Sequence, residues 1–173
     1  MVPDTYHSFL MDHVNEALSA DLALAAELHV VLKEEARAVT ETWRQVRHTM
    51  LGSSERRQSN ERDHLPEALE LCVGGFKTVP WKRGLSGVHY AKRGRGRGQL
   101  MRLDPGQAAP HHSHSVLEAT VVLQGAFDDG QGINHRGDLV LGWPGMTHRP
   151  AAAGDEVCIC YVAREPKPFW RLS

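Results

Sequence analysis

Cysteine is scarce in this chain: Cys72, Cys158 and Cys160 are the only three among 173 residues. An odd number without Cys-x2-Cys spacing argues against a disulfide framework and against a zinc site built from such pairs. An excess of one charge is lacking too. Twenty Lys and Arg against 21 Asp and Glu leave a net charge of -1 and a pI near 6.8, so nothing draws the whole molecule to nucleic acid or to an anionic membrane. No apolar run approaches the ~20 residues of a membrane span. The start, Met1-Val2-Pro3-Asp4, has neither the basic residues nor the apolar stretch of a secretory signal, so a cytoplasmic setting is expected.

What the chain does have is one dense run of chemistry, Gly106, His112, His114, Glu118 and Gly125, spaced G-x5-H-x-H-x3-E-x6-G, with His148 following in Trp143-Pro144-Gly145-Met146-Thr147-His148. Side chains alternate along a strand, so His112, His114 and Glu118 share one face if no bulge intervenes, and His111 falls on the other. Neutral imidazoles with a carboxylate suit a borderline divalent ion: zinc, iron, manganese, nickel or copper. His148, from a returning strand, completes a His3Glu set, and the glycines fit tight turns.

This run resembles the first conserved motif of the cupins, small antiparallel jelly-roll β-barrels carrying one metal inside. Gly137-Asp138, Pro144-Gly145 and His148 are similar to the second motif, with one extra residue before the proline and Ala152 where an asparagine often follows. Closely spaced short segments agree with a barrel. Strands are expected at Thr78 to Lys82, Gly87 to Ala91, Gln99 to Asp104, Leu117 to Leu123, Leu139 to Leu141 and Val157 to Val162.

The first fifty residues read differently. Tyr6, Phe9, Leu10, Val14 and Ala17 recur at helical steps. A second stripe runs Ala25, Leu28, Leu32, Ala36, Val39, Trp43, Val46 and Met50. Two amphipathic helices are expected, the second capped by Ser19 and ended by Gly52. So small a pair needs its apolar face covered by another helix, the barrel, a second copy (a homodimer) or a different protein. Ser53 to Asp63 is polar and reads as a linker. Leu65 to Val73, with Pro66 in its first turn, reads as one further short helix. The expected fold is α+β in two domains: a helical hairpin or bundle with its linker over 1–75, and a cupin metal-binding domain over 76–173.

The whole chain is similar to the ChrR-type anti-sigma factors, which join an N-terminal helical sigma-binding domain to a C-terminal cupin. His112-Ser-His114-x3-Glu118, Gly125-Ala126-Phe127, Thr147-His148-Arg149-Pro150 and Cys158-Ile159-Cys160 carry that resemblance. It implies zinc at His112, His114, Glu118 and His148, and an extracytoplasmic-function sigma factor bound by the helices. In the family a second zinc is held by a first histidine and an H-x3-C-x2-C run. Here His29 remains, while Lys33 and Ala36 stand in place of both cysteines. Lysine and alanine supply no thiolate, so that zinc is expected to be missing and packing or a partner to replace it.

Lys92-Arg93-Gly94-Arg95-Gly96-Arg97-Gly98 is the basic run of the sequence. It lacks interleaved aromatics and lies between expected strands, so it reads as a hairpin loop rather than a nucleic-acid site. Cys158 and Cys160 share a strand face. They read as small apolar core residues, or as oxidisable groups if that face carries the metal. The leading functional expectation is a sigma-binding regulator with a metal-containing cupin as sensor for a small molecule or oxidant. The alternative is a metal-dependent, oxygenase-like cupin enzyme, or a ligand-binding cupin, with a helical dimerisation segment; no separate acid, base or nucleophile stands out for catalysis.

Overall fold

A computed structural model describes residues 5–51, 65–84, 86–93, 96 and 98–166. The helices come first: α1 (Thr5–Val14), α2 (Ala20–Leu32), α3 (Glu34–Leu51) and α4 (Leu65–Val73). A 3-10 turn over Phe76–Thr78 leads into the strands. These are β1 (Lys82–Arg83), β2 (His89–Lys92), β3 (Gln99–Leu103), β4 (His112–Ser113), β5 (Glu118–Gln124), β6 (Ala126–Asp128), β7 (Ile133–His135), β8 (Leu139–Gly142), β9 (Thr147–His148), β10 (Ala151–Ala153) and β11 (Cys158–Arg164).

The long helical stripe is broken where the sequence pattern runs on. Lys33 adopts extended dihedrals (φ -123°, ψ 124°) and separates α2 from α3, so three helices replace the expected pair ahead of α4. Ser19 does stand at the start of α2, without a side-chain capping bond. Gly52 and the polar stretch 53–63 lie outside the described residues, as do Gly94, Arg95 and Arg97 of the basic run. The break coincides with a tertiary contact. At Lys33 the chain meets the turn before β8, where Lys33 Nζ stands 2.7 Å from Asp138 Oδ1. A Cβ on Gly137 (φ 89°) would come within 3.0 Å of both Leu32 and Lys33, so this close approach requires glycine.

The six-stranded sheet has the order β1-β2-β3-β11-β5-β8. A second sheet is β10-β6-β7, β4 pairs with β9, and all pairings are antiparallel. The large sheet is covered on both faces, which explains the nearly continuous apolar runs of β5 and β11. On one face Leu100, Ala119, Val121, Leu123, Tyr161 and Ala163 pack with Leu22, Ala25, Ala26 and Leu28 of α2, with Leu71 of α4, and with Phe9 and Leu10 of α1. On the other, Met101, Leu103, Val122, Phe127, Cys158, Cys160 and Val162 form the interior of the cupin-like half. The helical layer and the sheet therefore share one apolar cluster, with α2 at its centre. Leu22, Leu24 and Leu28 are at most 3% exposed, and each contributes roughly 1.5–3 kcal/mol by burial. No described helix is long and apolar enough to cross a membrane.

A polar seam complements this apolar contact. His29, on α2, places Nδ1 2.7 Å from the Gly137 carbonyl and Nε2 2.8 Å from the Tyr6 hydroxyl. The carbonyl only accepts, so Nδ1 carries the proton and Nε2 accepts from Tyr6. His29 is 5% exposed, and burial lowers its pKa. It is thus a satisfied junction residue with both ring nitrogens occupied.

Candidate metal centre

The run from His112 to Glu118 does not follow one strand. His112 opens β4, the chain bends at Ser115 and Val116, and Glu118 opens β5. The expected single-strand alternation is therefore replaced by a fold-back, because β4 leaves the large sheet to pair with β9. That pairing sets His112 opposite His148. Two backbone bonds extend it: His114 N–H donates to the Met146 carbonyl at 3.0 Å, and Gly145 N–H donates to the His114 carbonyl at 2.9 Å. The tight turn before His148 thus aims the fourth side chain.

The fold brings all four sequence-predicted residues together. His112, His114, Glu118 and His148 each offer one ligand atom, and these atoms lie within 4.8 Å of one another, forming a cluster that can hold a metal ion. His148 Nε2 is 3.0 Å from His114 Nε2 and 3.1 Å from His112 Nε2. Two ligands held at ~2.1 Å from one ion and at roughly right angles stand about 3.0 Å apart, so the spacing suits a shared ion. His112 Nδ1 donates to the Pro110 carbonyl at 2.9 Å, which fixes the proton there and leaves Nε2 with its lone pair facing the cluster. Burial lowers the pKa of His114, opposed by Glu118. Burial also lowers that of His148, with His112 and His114 acting in the same direction. Neutral imidazoles are the form a metal requires. His111 is exposed and outside the cluster.

Three participants were not legible from the motif. Arg164 ends β11 directly opposite Glu118, and its Nε donates to Glu118 Oε2 at 2.5 Å. Its signal was the same alternation that pairs Cys158 with Cys160, continued through Val162 to Arg164. Gly142, opposite Glu118 on β8, leaves the space His114 fills: a Cβ there would sit 2.7 Å from His114 Nε2. Tyr90 lies close enough to Arg164 and Glu118 to feel both charges, although burial is the main cause of its raised pKa. Tyr90 and Arg164 border, with His112, Glu118 and His148, a cavity of 260 Å³ that Met101, Phe127 and Val162 also line. Cys158 and Cys160 pack in the same buried cluster as Met101, Phe127 and Val162, with sulfurs 3.6 Å apart, and hydrogen bonding with burial pushes the Cys160 thiol upward. Among the described residues no second cluster of three or more candidate ligands accompanies His29.

Residues 72–168 match the ChrR cupin-like domain family. The chain is 36% identical over 123 residues to the anti-sigma-E factor ChrR of Cereibacter sphaeroides, a stretch covering 62% of this chain and 58% of that protein's length. Its fold is similar to a chain in the crystal structure of Rhodobacter sphaeroides SigE in complex with the anti-sigma ChrR, with a TM-score of 0.75 and 24% identity, covering 92% of this chain and 96% of that one. The agreement extends through helices and sheets alike. The chain belongs to the ChrR cupin-like domain family.

Proposed function

We propose that this protein is an anti-sigma factor whose helical part, within 1–75, binds an extracytoplasmic-function sigma factor, and whose cupin part, 76–173, is a metal-containing jelly-roll sensor. The observation that carries the reading is the 36% identity to an anti-sigma-E factor, on a chain that also shares the helix-plus-cupin arrangement. The helices offer a suitable surface. A groove between α1 and α3 is lined by Met11, Val14, Trp43, Val46, Met50 and Leu51, with Met50 79% and Leu51 54% exposed. An apolar stripe of this kind is how a helical face recognises a partner's helices. The setting would be cytoplasmic, where sigma factors act.

His112, His114, Glu118 and His148 would hold the ion. Zinc is the choice by family, while the donor set also accepts iron, manganese or nickel. When bound, the ion supplies positive charge and a coordination site to the cavity. Arg164 orients Glu118, the Pro110 carbonyl orients His112, and the 145–146 turn orients His148. A ligand or oxidant reaching the cupin would change sigma affinity only by binding the free and sigma-bound forms unequally.

The test is co-expression of the intact chain with each extracytoplasmic-function sigma factor of its host, followed by co-purification and run-off transcription. One sigma factor should co-purify and lose promoter activity, and Met50→Lys should weaken that retention. Full transcription from every such sigma factor, with none retained, would overturn the reading.

A further inference from the structure

The 260 Å³ cavity beside the His3Glu cluster has a charge and shape of its own. Its lining combines the polar side chains of Arg164, Tyr90 and Gln99 with the apolar ones of Met101, Phe127 and Val162. Glu118 is the one carboxylate among the described lining residues, and Arg164 already pairs with it. Without an ion the two charges cancel. With a divalent ion on the cluster, one carboxylate and one guanidinium leave two positive charges facing a largely apolar wall. Unpaired charge in such a setting is unfavourable, so the loaded cavity calls for an anion.

Arg164 is placed to meet one. Its Nε serves Glu118, and its other N–H donors have no partner among the described residues, although the side chain is only half exposed. A guanidinium matches a carboxylate bidentately. The size is also informative. At ~30 Å³ per water, the space corresponds to about nine waters, which sets the scale of a ligand with fewer than ten heavy atoms. Met101 and Phe127 are 8% and 1% exposed, which gives a short hydrocarbon tail a dry surface.

We infer that the metal-loaded cupin binds a small organic monocarboxylate, its head between Arg164 and the ion and its tail against Met101, Phe127 and Val162. The inference rests on the metal-centre reading and names the ligand class of that site. It also assigns Arg164 two tasks, orienting Glu118 and recognising the ligand.

The experiment uses the full chain loaded with cobalt(II), whose visible absorption reports changes in coordination. Cobalt content is measured first, and hexanoate and its neutral counterpart hexanamide are then titrated. Hexanoate should shift the cobalt bands saturably and bind at least about tenfold more tightly than hexanamide, the scale of one charge-assisted contact. Arg164→Met should weaken hexanoate by about tenfold or more, and Arg164→Lys should recover part of the loss. A chain that takes up no cobalt overturns both the centre and the inference. A loaded chain that ignores hexanoate, or binds hexanamide equally, overturns the inference alone. Undiminished hexanoate binding by loaded Arg164→Met removes Arg164 from the site.

Discussion

His29 and the cupin histidines are the same residue type in two opposite situations. His29 spends one ring nitrogen on the Gly137 carbonyl and the other on Tyr6, which leaves no lone pair for an ion. His112 spends only Nδ1, on Pro110, and turns Nε2 toward His148. The difference lies in the second nitrogen. A histidine becomes a ligand when its free lone pair converges with others, and it becomes a structural residue when protein groups satisfy both sides. In the helical half, Lys33 likewise reaches across to Asp138 of the cupin half. A polar seam of His29 and Lys33 thus joins helix to sheet.

The largest expected effect tests the cupin side of that contrast. His112→Ala, His114→Ala or His148→Ala should lower metal affinity by more than about 100-fold, beyond the range seen for outer-shell changes. His111→Ala and His29→Ala should leave metal content unchanged by elemental analysis, because the first is exposed and the second lies outside the cluster. Equal loss from all five variants would erase the distinction. Gly142→Ala sharpens it from the backbone. Its methyl would stand 2.7 Å from His114 Nε2 and should cost about tenfold in affinity while the chain stays folded by circular dichroism.

The helical side is tested by stability. His29→Ala leaves the buried Gly137 carbonyl and the Tyr6 hydroxyl without their partner, and should cost about 2 kcal/mol, or roughly 4–8 °C in Tm. Acid should expose the same residue. Burial lowers the folded pKa of His29 from 6.5, with Gly137 and Asp138 opposing, Lys33 reinforcing and Glu35 opposing. The unfolded chain therefore binds the proton first. Stability from neutral His29 is complete above its ordinary value of 6.5 and falls as pH drops below it toward the folded value, with a slope of at most ~1.4 kcal/mol per pH unit. Denaturant melts of wild type and His29→Gln between pH 7 and pH 5 should differ in that slope. The smallest effect belongs to Lys33→Met: both partners of the Lys33–Asp138 pair are about one-third exposed, so the loss should stay within about 1 kcal/mol and shrink in high salt.

Much of this was readable beforehand, for reasons that differ by residue. The convergence of His112, His114, Glu118 and His148 was legible because histidine and glutamate at fixed spacing carry chemistry of their own, and α4 was legible because Pro66 and Gly74 punctuate it. The break at Lys33 was not. The apolar stripe runs through it unbroken, and the contacts with Gly137 and Asp138 at the break are made by residues distant in sequence. The short strands β6, β7 and β10 escaped notice because three residues carry too little alternation to register. Arg164 and Gly142 were hidden because each acts on a residue distant in sequence, across a strand pair.

By itself the sequence determined the periodicities and the set of candidate donors, since these are properties of residue type and spacing. Tertiary structure decided how the ring nitrogens of His29 and of His112 are engaged, where the second helix ends, and that Arg164 faces the same cavity as His112, Glu118 and His148. Those outcomes depend on strand partners and on chain passing within about 3 Å of chain, and no local pattern encodes either.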